Sequence, residues 1–160
     1  MSSTDVARPG RALLLVAAGL ALVHAVPSLY WAAGGDAGVT SLGEWAPRWR
    51  AEQPVVAGLA LVAICVVKLL GGVVPIWATD GVVRPRRLWR GLSWAGAALL
   101  IAYGGANVVV GGLALAGVLP APTDPAALDA LRGHVFGWDL LFLAWGLVLS
   151  AGLARTRQPA

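Results

Sequence analysis

Charged residues are scarce in this sequence. They make up 12% of its 160 residues, hydrophobic residues make up 58%, and the mean hydropathy is +0.75. A soluble domain is usually about 45–50% apolar and about 25% charged. Water would solvate such a chain poorly as a compact globule, so we expect the lipid bilayer to be its solvent and its first partner.

Cysteine and histidine are scarce as well. Cys65 is the single cysteine, which excludes an internal disulfide and a Cys-x-x-Cys redox motif. A metal centre needs more histidine, cysteine and carboxylate ligands than the spans offer. The two histidines, His24 and His134, are predicted at different depths, which argues against a bis-histidine haem. There is also no Gly-x-x-x-x-Gly-Lys phosphate loop and no Gly-x-Ser-x-Gly elbow, so we expect no metal and no cofactor.

Arginine supplies most of the net charge of +4, and its positions indicate topology. The arginines lie between apolar runs, which favours a membrane orientation signal over nucleic-acid binding. If both termini are cytoplasmic, eight arginines lie inside and three outside, as the positive-inside rule predicts. The inner set is Arg8, Arg11, Arg84, Arg86, Arg87, Arg90, Arg155 and Arg157, and the outer set is Arg48, Arg50 and Arg132.

Four apolar runs predict four membrane-spanning helices, at about 12–33, 55–78, 91–111 and 135–154. The first has 22 residues, or roughly 33 Å of helix, enough for a hydrocarbon core of about 30 Å. A cleaved signal peptide is an alternative for this run, but three further spans favour an uncleaved first helix. We therefore predict a single all-α domain over 1–160: an integral membrane four-helix bundle, multi-pass in the inner (plasma) membrane.

The connections carry their own signals. Gly34-Gly35 is expected to end the first helix. Ser41-Leu42-Gly43-Glu44 fits a capping box before a short amphipathic helix at the membrane surface. Asp124 before Pro125 predicts a helix N-cap. The third apolar run, 91–119, is too long for one straight span, so we expect it to tilt or to break near Gly111-Gly112.

Polar residues within the spans are the candidate site. Each ionisable group costs about 2.5–3.5 kcal/mol at a helix centre, so such groups normally face the bundle interior and pair. We expect an outward-facing polar pocket in which Asp139 pairs with His24. The alternatives are a structural clasp between helices and an Asp139 that reaches the outer interface. The candidate ligand-binding residues are His24, Trp31, Tyr103, Asn107 and Asp139.

Lys68 is interpreted as a structural polar residue in its span. Its stem could carry the ammonium toward the cytoplasmic face, or the ammonium could donate to the Gly71 carbonyl that Pro75 leaves without an amide. A role in binding a substrate anion is the third interpretation.

Two stretches resemble a known family. They are the run from His24 to Gly35, with its Tyr30-Trp31-Ala32-Ala33-Gly34-Gly35, and the run Gly133-His134-Val135-Phe136-Gly137-Trp138-Asp139. Both are similar to the first and last helices of small, mainly actinobacterial membrane proteins catalogued as domain of unknown function 3995. The resemblance implies a four-helix integral membrane protein. It implies no known activity, so it assigns no catalytic residue.

Two functional hypotheses follow. The first is a non-enzymatic membrane protein that binds a small apolar or lipid-like ligand, or a partner membrane protein, through the outward-facing pocket. A second copy of the chain is another candidate partner, and nucleic acid is not. The second hypothesis is a membrane-embedded enzyme that uses His24 and Asp139 for acid–base chemistry on an apolar substrate.

Overall fold

Helices make up nearly all of the structure. A computed structural model describes the backbone of residues 3–156 and the side chains of residues 9–156, and no strand occurs in these residues. A 3₁₀-helical turn, Val39–Leu42, follows the first helix, and a π-helical turn, His134–Trp138, joins the last two. The α-helices are α1 Ser3–Ala32, α2 Trp45–Glu52, α3 Pro54–Asp80, α4 Arg86–Leu115, α5 Pro125–Gly133 and α6 Asp139–Arg155.

Four helical stretches are long and apolar enough to cross a membrane. They are Pro9–Ala32, Pro54–Asp80, Arg86–Leu115 and Pro125–Arg155. The predicted all-α four-helix bundle is therefore confirmed. We call the end of the bundle with Ala32 and Leu115 the outer end and the opposite end the inner end. These names follow the orientation predicted from arginine, which stays a prediction; Arg157 and the Arg8 side chain lie outside the described residues.

The four long helices close into a ring. α1 packs against α3 and α6, α4 packs against α6, and the contact between α3 and α4 is the smallest. Leu14, Trp145 and Leu153 form the centre of the main core together with small alanines. Because lipid tails are as apolar as leucine, close packing and interhelical hydrogen bonds hold such a bundle together.

Small residues on α4 let α6 approach closely. A Cβ added at Gly104 would lie 2.6 Å from the Asp139 carbonyl oxygen and 2.6 Å from the Leu143 amide nitrogen. At Gly111 it would overlap Val135, while at Gly112 nothing lies within 4 Å. Gly104 thus packs against α6, and Gly111, seven residues later, packs against the π-helical turn before α6. Of the two alternatives expected for this long run, a tilt or a break near Gly111-Gly112, the break is wrong, because α4 continues without interruption to Leu115.

The connecting segments agree in part with the predictions from the sequence. Gly34 has a φ of +96° just after α1, as expected of a helix-ending glycine. The Asp124 carboxylate accepts a hydrogen bond from the Ala127 amide at 2.8 Å, which confirms the predicted N-cap. The capping box at Ser41 is wrong, because α2 begins at Trp45 without a side-chain cap. The Ser41 hydroxyl instead contacts Gly38 and Trp138.

Candidate functional site

Polar side chains from all four long helices lie at one level of the bundle. His24 is eight residues from the end of α1 and Asn107 eight residues from the end of α4, so both lie roughly 12 Å below the outer end. We call this group the polar layer, and its members are His24, Ser28, Lys68, Asn107, His134 and Asp139. Four of the six were singled out from the sequence as polar residues of the spans. Ser28 and His134 were not among those candidates.

Asp139 is fixed by two neighbours within the layer. Its side chain is 3% exposed. One carboxylate oxygen accepts a hydrogen bond from Asn107 Nδ2 at 3.3 Å, and the other lies 3.3 Å from His134 Nδ1. The expected pair between Asp139 and His24 is not among these contacts. Asp139 therefore clasps α6 to α4 and to the turn before α6, and it does not reach the outer interface by itself.

The π-helical turn explains why His134 reaches Asp139. In an α-helix, residues five apart lie about 140° apart around the axis and do not meet. A π-helical turn closes its hydrogen bonds from i to i+5, and the Asp139 amide bonds to the His134 carbonyl in this way. Single π-turns of this kind are frequent at functional sites. Helical periodicity therefore could not reveal the contact.

His24 is buried without a polar partner. The residue is 4% exposed, and its ring stacks on Phe142 at a centroid distance of 4.0 Å and an angle of 30°. The Trp138 ring lies 5.6 Å away on another side. Neither ring nitrogen has a hydrogen-bond partner of good geometry in the described part of the chain. Because a buried unsatisfied polar group costs about 1–3 kcal/mol, this imidazole calls for an explanation.

Aromatic side chains surround the imidazole. Trp31 packs edge-on against Trp138 at 5.5 Å, and its indole N–H donates to the Ala37 carbonyl at 2.9 Å. Tyr103 meets Phe142 edge-on at 5.7 Å, but half of Tyr103 is exposed at the rim of the bundle. Trp31 thus lies beside the layer and Tyr103 at its edge. Sequence reasoning left Trp138 and Phe142 out of the candidate set, although their i, i+4 spacing beside Asp139 indicated a shared face.

Lys68 crosses from α3 to α1. Its ammonium donates to the His24 carbonyl at 3.1 Å and to the Ser28 hydroxyl at 2.9 Å. It therefore reaches neither the cytoplasmic face nor the Gly71 carbonyl. The contact resembles the interpretation in which the ammonium donates to a backbone carbonyl, but the acceptor is His24 instead of Gly71.

A cleft opens above the layer at the outer surface. Its volume is about 320 Å³, and it lies between the 3₁₀-helical turn and α5. Ser41 lines the cleft, and its hydroxyl accepts a hydrogen bond from the Trp138 indole at 3.0 Å. Trp138 thus lies between the cleft and His24. Within the described residues, no group of three or more histidine, cysteine and acidic side chains is arranged to hold a metal ion.

The comparison with known families places the chain in a family. A family model described as "Protein of unknown function (DUF3995)" matches residues 21–149, a range that contains the whole polar layer. No curated protein and no solved structure matches the chain. The actinobacterial distribution implied by the resemblance stays a prediction. The match extends over most of the four-helix bundle, and the chain therefore belongs to the DUF3995 family of proteins of unknown function.

Proposed function

We propose that this membrane protein binds a small lipid-like ligand through the polar layer in the outer half of its bundle, without chemical conversion of that ligand. The observation that carries the proposal is the imidazole of His24. It is 4% exposed, both of its nitrogens lack a hydrogen bond of good geometry within the described chain, and aromatic rings flank it. A bound polar group would satisfy these nitrogens.

The surroundings of His24 favour an amphiphilic ligand. Ligand sites in helical bundles are mostly apolar with a few oriented polar groups, and they form between helices. The rings of Trp138 and Phe142 supply the apolar wall, and the imidazole supplies one donor and one acceptor when neutral. Asp139 and Asn107 are already engaged with each other, so their role is to position α6 against α4.

Binding can be tested by native mass spectrometry of the protein in phosphatidylcholine nanodiscs. The probes are oleyl alcohol and oleate, which share one chain and differ in the headgroup. We expect His24→Phe, which keeps a ring for stacking but removes both nitrogens, to weaken binding of at least one probe by roughly tenfold. Ser93→Ala is the matched control, because it removes another buried polar group near the inner end. Equal binding by both variants and the unaltered protein would contradict the proposal.

A partner protein is the other occupant that we predict from sequence. The same spectra distinguish it, since a second copy or another membrane protein adds many kilodaltons to the particle and a lipid-like ligand adds a few hundred daltons. A stable complex with another protein that persists in His24→Phe would show that the partner binds outside the polar layer, on the lipid-facing helix surfaces.

An acid–base enzyme is the second candidate function, and the contact between His134 and Asp139 favours it. A buried carboxylate that holds one nitrogen of an imidazole fixes the tautomer and leaves the other nitrogen available for proton transfer. This assigns the basic role to His134 instead of His24. Under this hypothesis, Asp139→Asn should retain a bound compound that differs chemically from the one recovered with the unaltered protein. Recovery of the same compound from both would exclude it.

We also propose that the chain is a multi-pass protein of the plasma membrane with both termini inside. The support is the excess of arginine at the inner end, where Arg84 and Arg87 are exposed. In a Cys65→Ala background, an impermeant maleimide applied to intact cells should label Thr40→Cys in the outer loop. It should not label Arg84→Cys until the membrane is opened, and the reverse pattern would invert the orientation.

A further inference from the structure

Lys68 lies in the polar layer without a carboxylate partner. Its ammonium bonds only to neutral acceptors, the His24 carbonyl and the Ser28 hydroxyl. None of the ion pairs formed by the described residues includes it. Asp139 is the one carboxylate of the polar layer, and it already uses one oxygen for Asn107 and the other for His134. An ionisable group within a membrane span normally has a counter-charge or marks a ligand path.

The turn of α1 between His24 and Ser28 carries more donors than acceptors. An ammonium has three N–H donors, and two of those of Lys68 are used within the described chain. The Ser28 hydroxyl accepts from Lys68, and its own proton has no acceptor there. A neutral His24 ring adds one further N–H. Three unused donors at one turn, one of them cationic, match an oxygen-rich anion.

The position of the ammonium fits access from the lipid. Gly58 of α3 lies beside the Ala32 carbonyl, so the Lys68 backbone lies nearly three helical turns deeper, and its side chain runs back toward the outer end. The ammonium is held between residues four and eight positions below Ala32, or roughly 6–12 Å beneath the outer end. Its neighbour Val67 is 68% exposed, and Lys68 itself is partly exposed. The lysine thus lies at an edge of α3 that faces the hydrocarbon.

We infer that Lys68, with Ser28 and His24, binds the anionic headgroup of a single-chain amphiphile, a carboxylate or a phosphate, that enters from the outer leaflet. This inference rests on the proposed function and names the class of its ligand. The headgroup receives hydrogen bonds from Lys68 and Ser28, and the acyl chain lies along the exposed apolar surface of α3. Lys68 thereby gains the counter-charge that the described chain does not supply.

The chain offers an unusually clean probe, because Lys68 is its only lysine. Protein labelled with ¹⁵N at the lysine Nζ gives one side-chain ammonium signal in phosphatidylcholine nanodiscs. We expect oleate to shift this signal saturably, whereas oleyl alcohol and acetate leave it in place. Lys68→Gln should bind oleate at least roughly tenfold more weakly in native mass spectra, since a charged hydrogen bond is lost. Ser28→Ala should weaken oleate binding to a smaller extent while it keeps the lysine.

A matched control moves the charge by one residue. The double variant Val67→Lys with Lys68→Val keeps composition and net charge but turns the ammonium away from α1. It should bind oleate as poorly as Lys68→Gln, and circular dichroism should show that both variants keep their helix content. Should Lys68→Gln fail to fold, Ser28→Ala and the ¹⁵N signal of the unaltered protein still provide the test.

The outcomes separate this inference from the proposed function. If acetate or inorganic phosphate shifts the lysine signal as strongly as oleate does, the inference of an amphiphilic ligand is overturned. The site would then bind a water-soluble anion. Equal binding of oleate and oleyl alcohol that needs His24 but not Lys68 would overturn the inference and leave the proposed function intact. If neither probe binds the unaltered protein, both are overturned.

Discussion

Gly104→Ala is expected to separate α4 from α6 and to disrupt the polar layer from a distance. The new Cβ would lie 2.6 Å from two backbone atoms of α6, the Asp139 oxygen and the Leu143 nitrogen. Backbone atoms cannot turn aside, so α4 must withdraw by about 0.8 Å to restore an ordinary contact of 3.4 Å. That movement breaks the hydrogen bond of 3.3 Å between Asn107 and Asp139. Overpacking and the lost charged hydrogen bond together cost about 2.5–6 kcal/mol.

The adjacent Gly105 provides the control for this change. A Cβ there would meet only the end of the Leu143 side chain at 3.7 Å, an ordinary contact. Gly105→Ala should therefore be neutral or stabilise the helix by about 0.5–1 kcal/mol, because alanine is the better helix former. The free energies of unfolding can be compared by titration with SDS followed by circular dichroism. Equal stability of the two variants would refute the close approach of α4 to α6.

Two further predictions concern single hydrogen bonds. Asn107→Ala should lower the free energy of unfolding by about 1–3 kcal/mol, because it leaves a buried oxygen of Asp139 unpaired, whereas Tyr103→Phe at the exposed rim should change it little. Ser41→Ala should cost about 0.5–1.5 kcal/mol and shift the fluorescence of Trp138, whose indole donates to that hydroxyl, and an unchanged spectrum would contradict this contact.

Composition and the length of the apolar runs were enough to predict the fold. Four long apolar runs in a chain with 12% charge have few structural solutions, since every backbone polar group in lipid must be paired within a helix. Helix ends could be predicted where a single residue decides the backbone geometry, as at Gly34 and Asp124. The capping box failed because the Ser41 hydroxyl bonds across the bundle to Trp138, a contact 97 residues away along the chain.

The candidate site was harder to predict, because its partners depend on irregular backbone. The depth of His24 below the end of its helix followed from counting residues at 1.5 Å each, but that of Asn107 did not, because α4 continues to Leu115 instead of ending near 111. The pairing did not follow, because the π-helical turn changes the spacing at which residues meet and gives Asp139 to His134. Likewise, nothing in the sequence of α1 indicated that Lys68 of another helix would bond to the His24 carbonyl.

The central claim is that the His24 imidazole faces the bundle interior instead of the lipid. Solid-state NMR in bilayers tests it most directly with labelled histidine and phenylalanine, since the chain has two of each. We expect cross-peaks between the rings of His24 and Phe142, which lie 4.0 Å apart, and lipid cross-peaks for Phe136, which is 70% exposed. Cross-peaks from His24 to acyl chains, with none to Phe142, would contradict it.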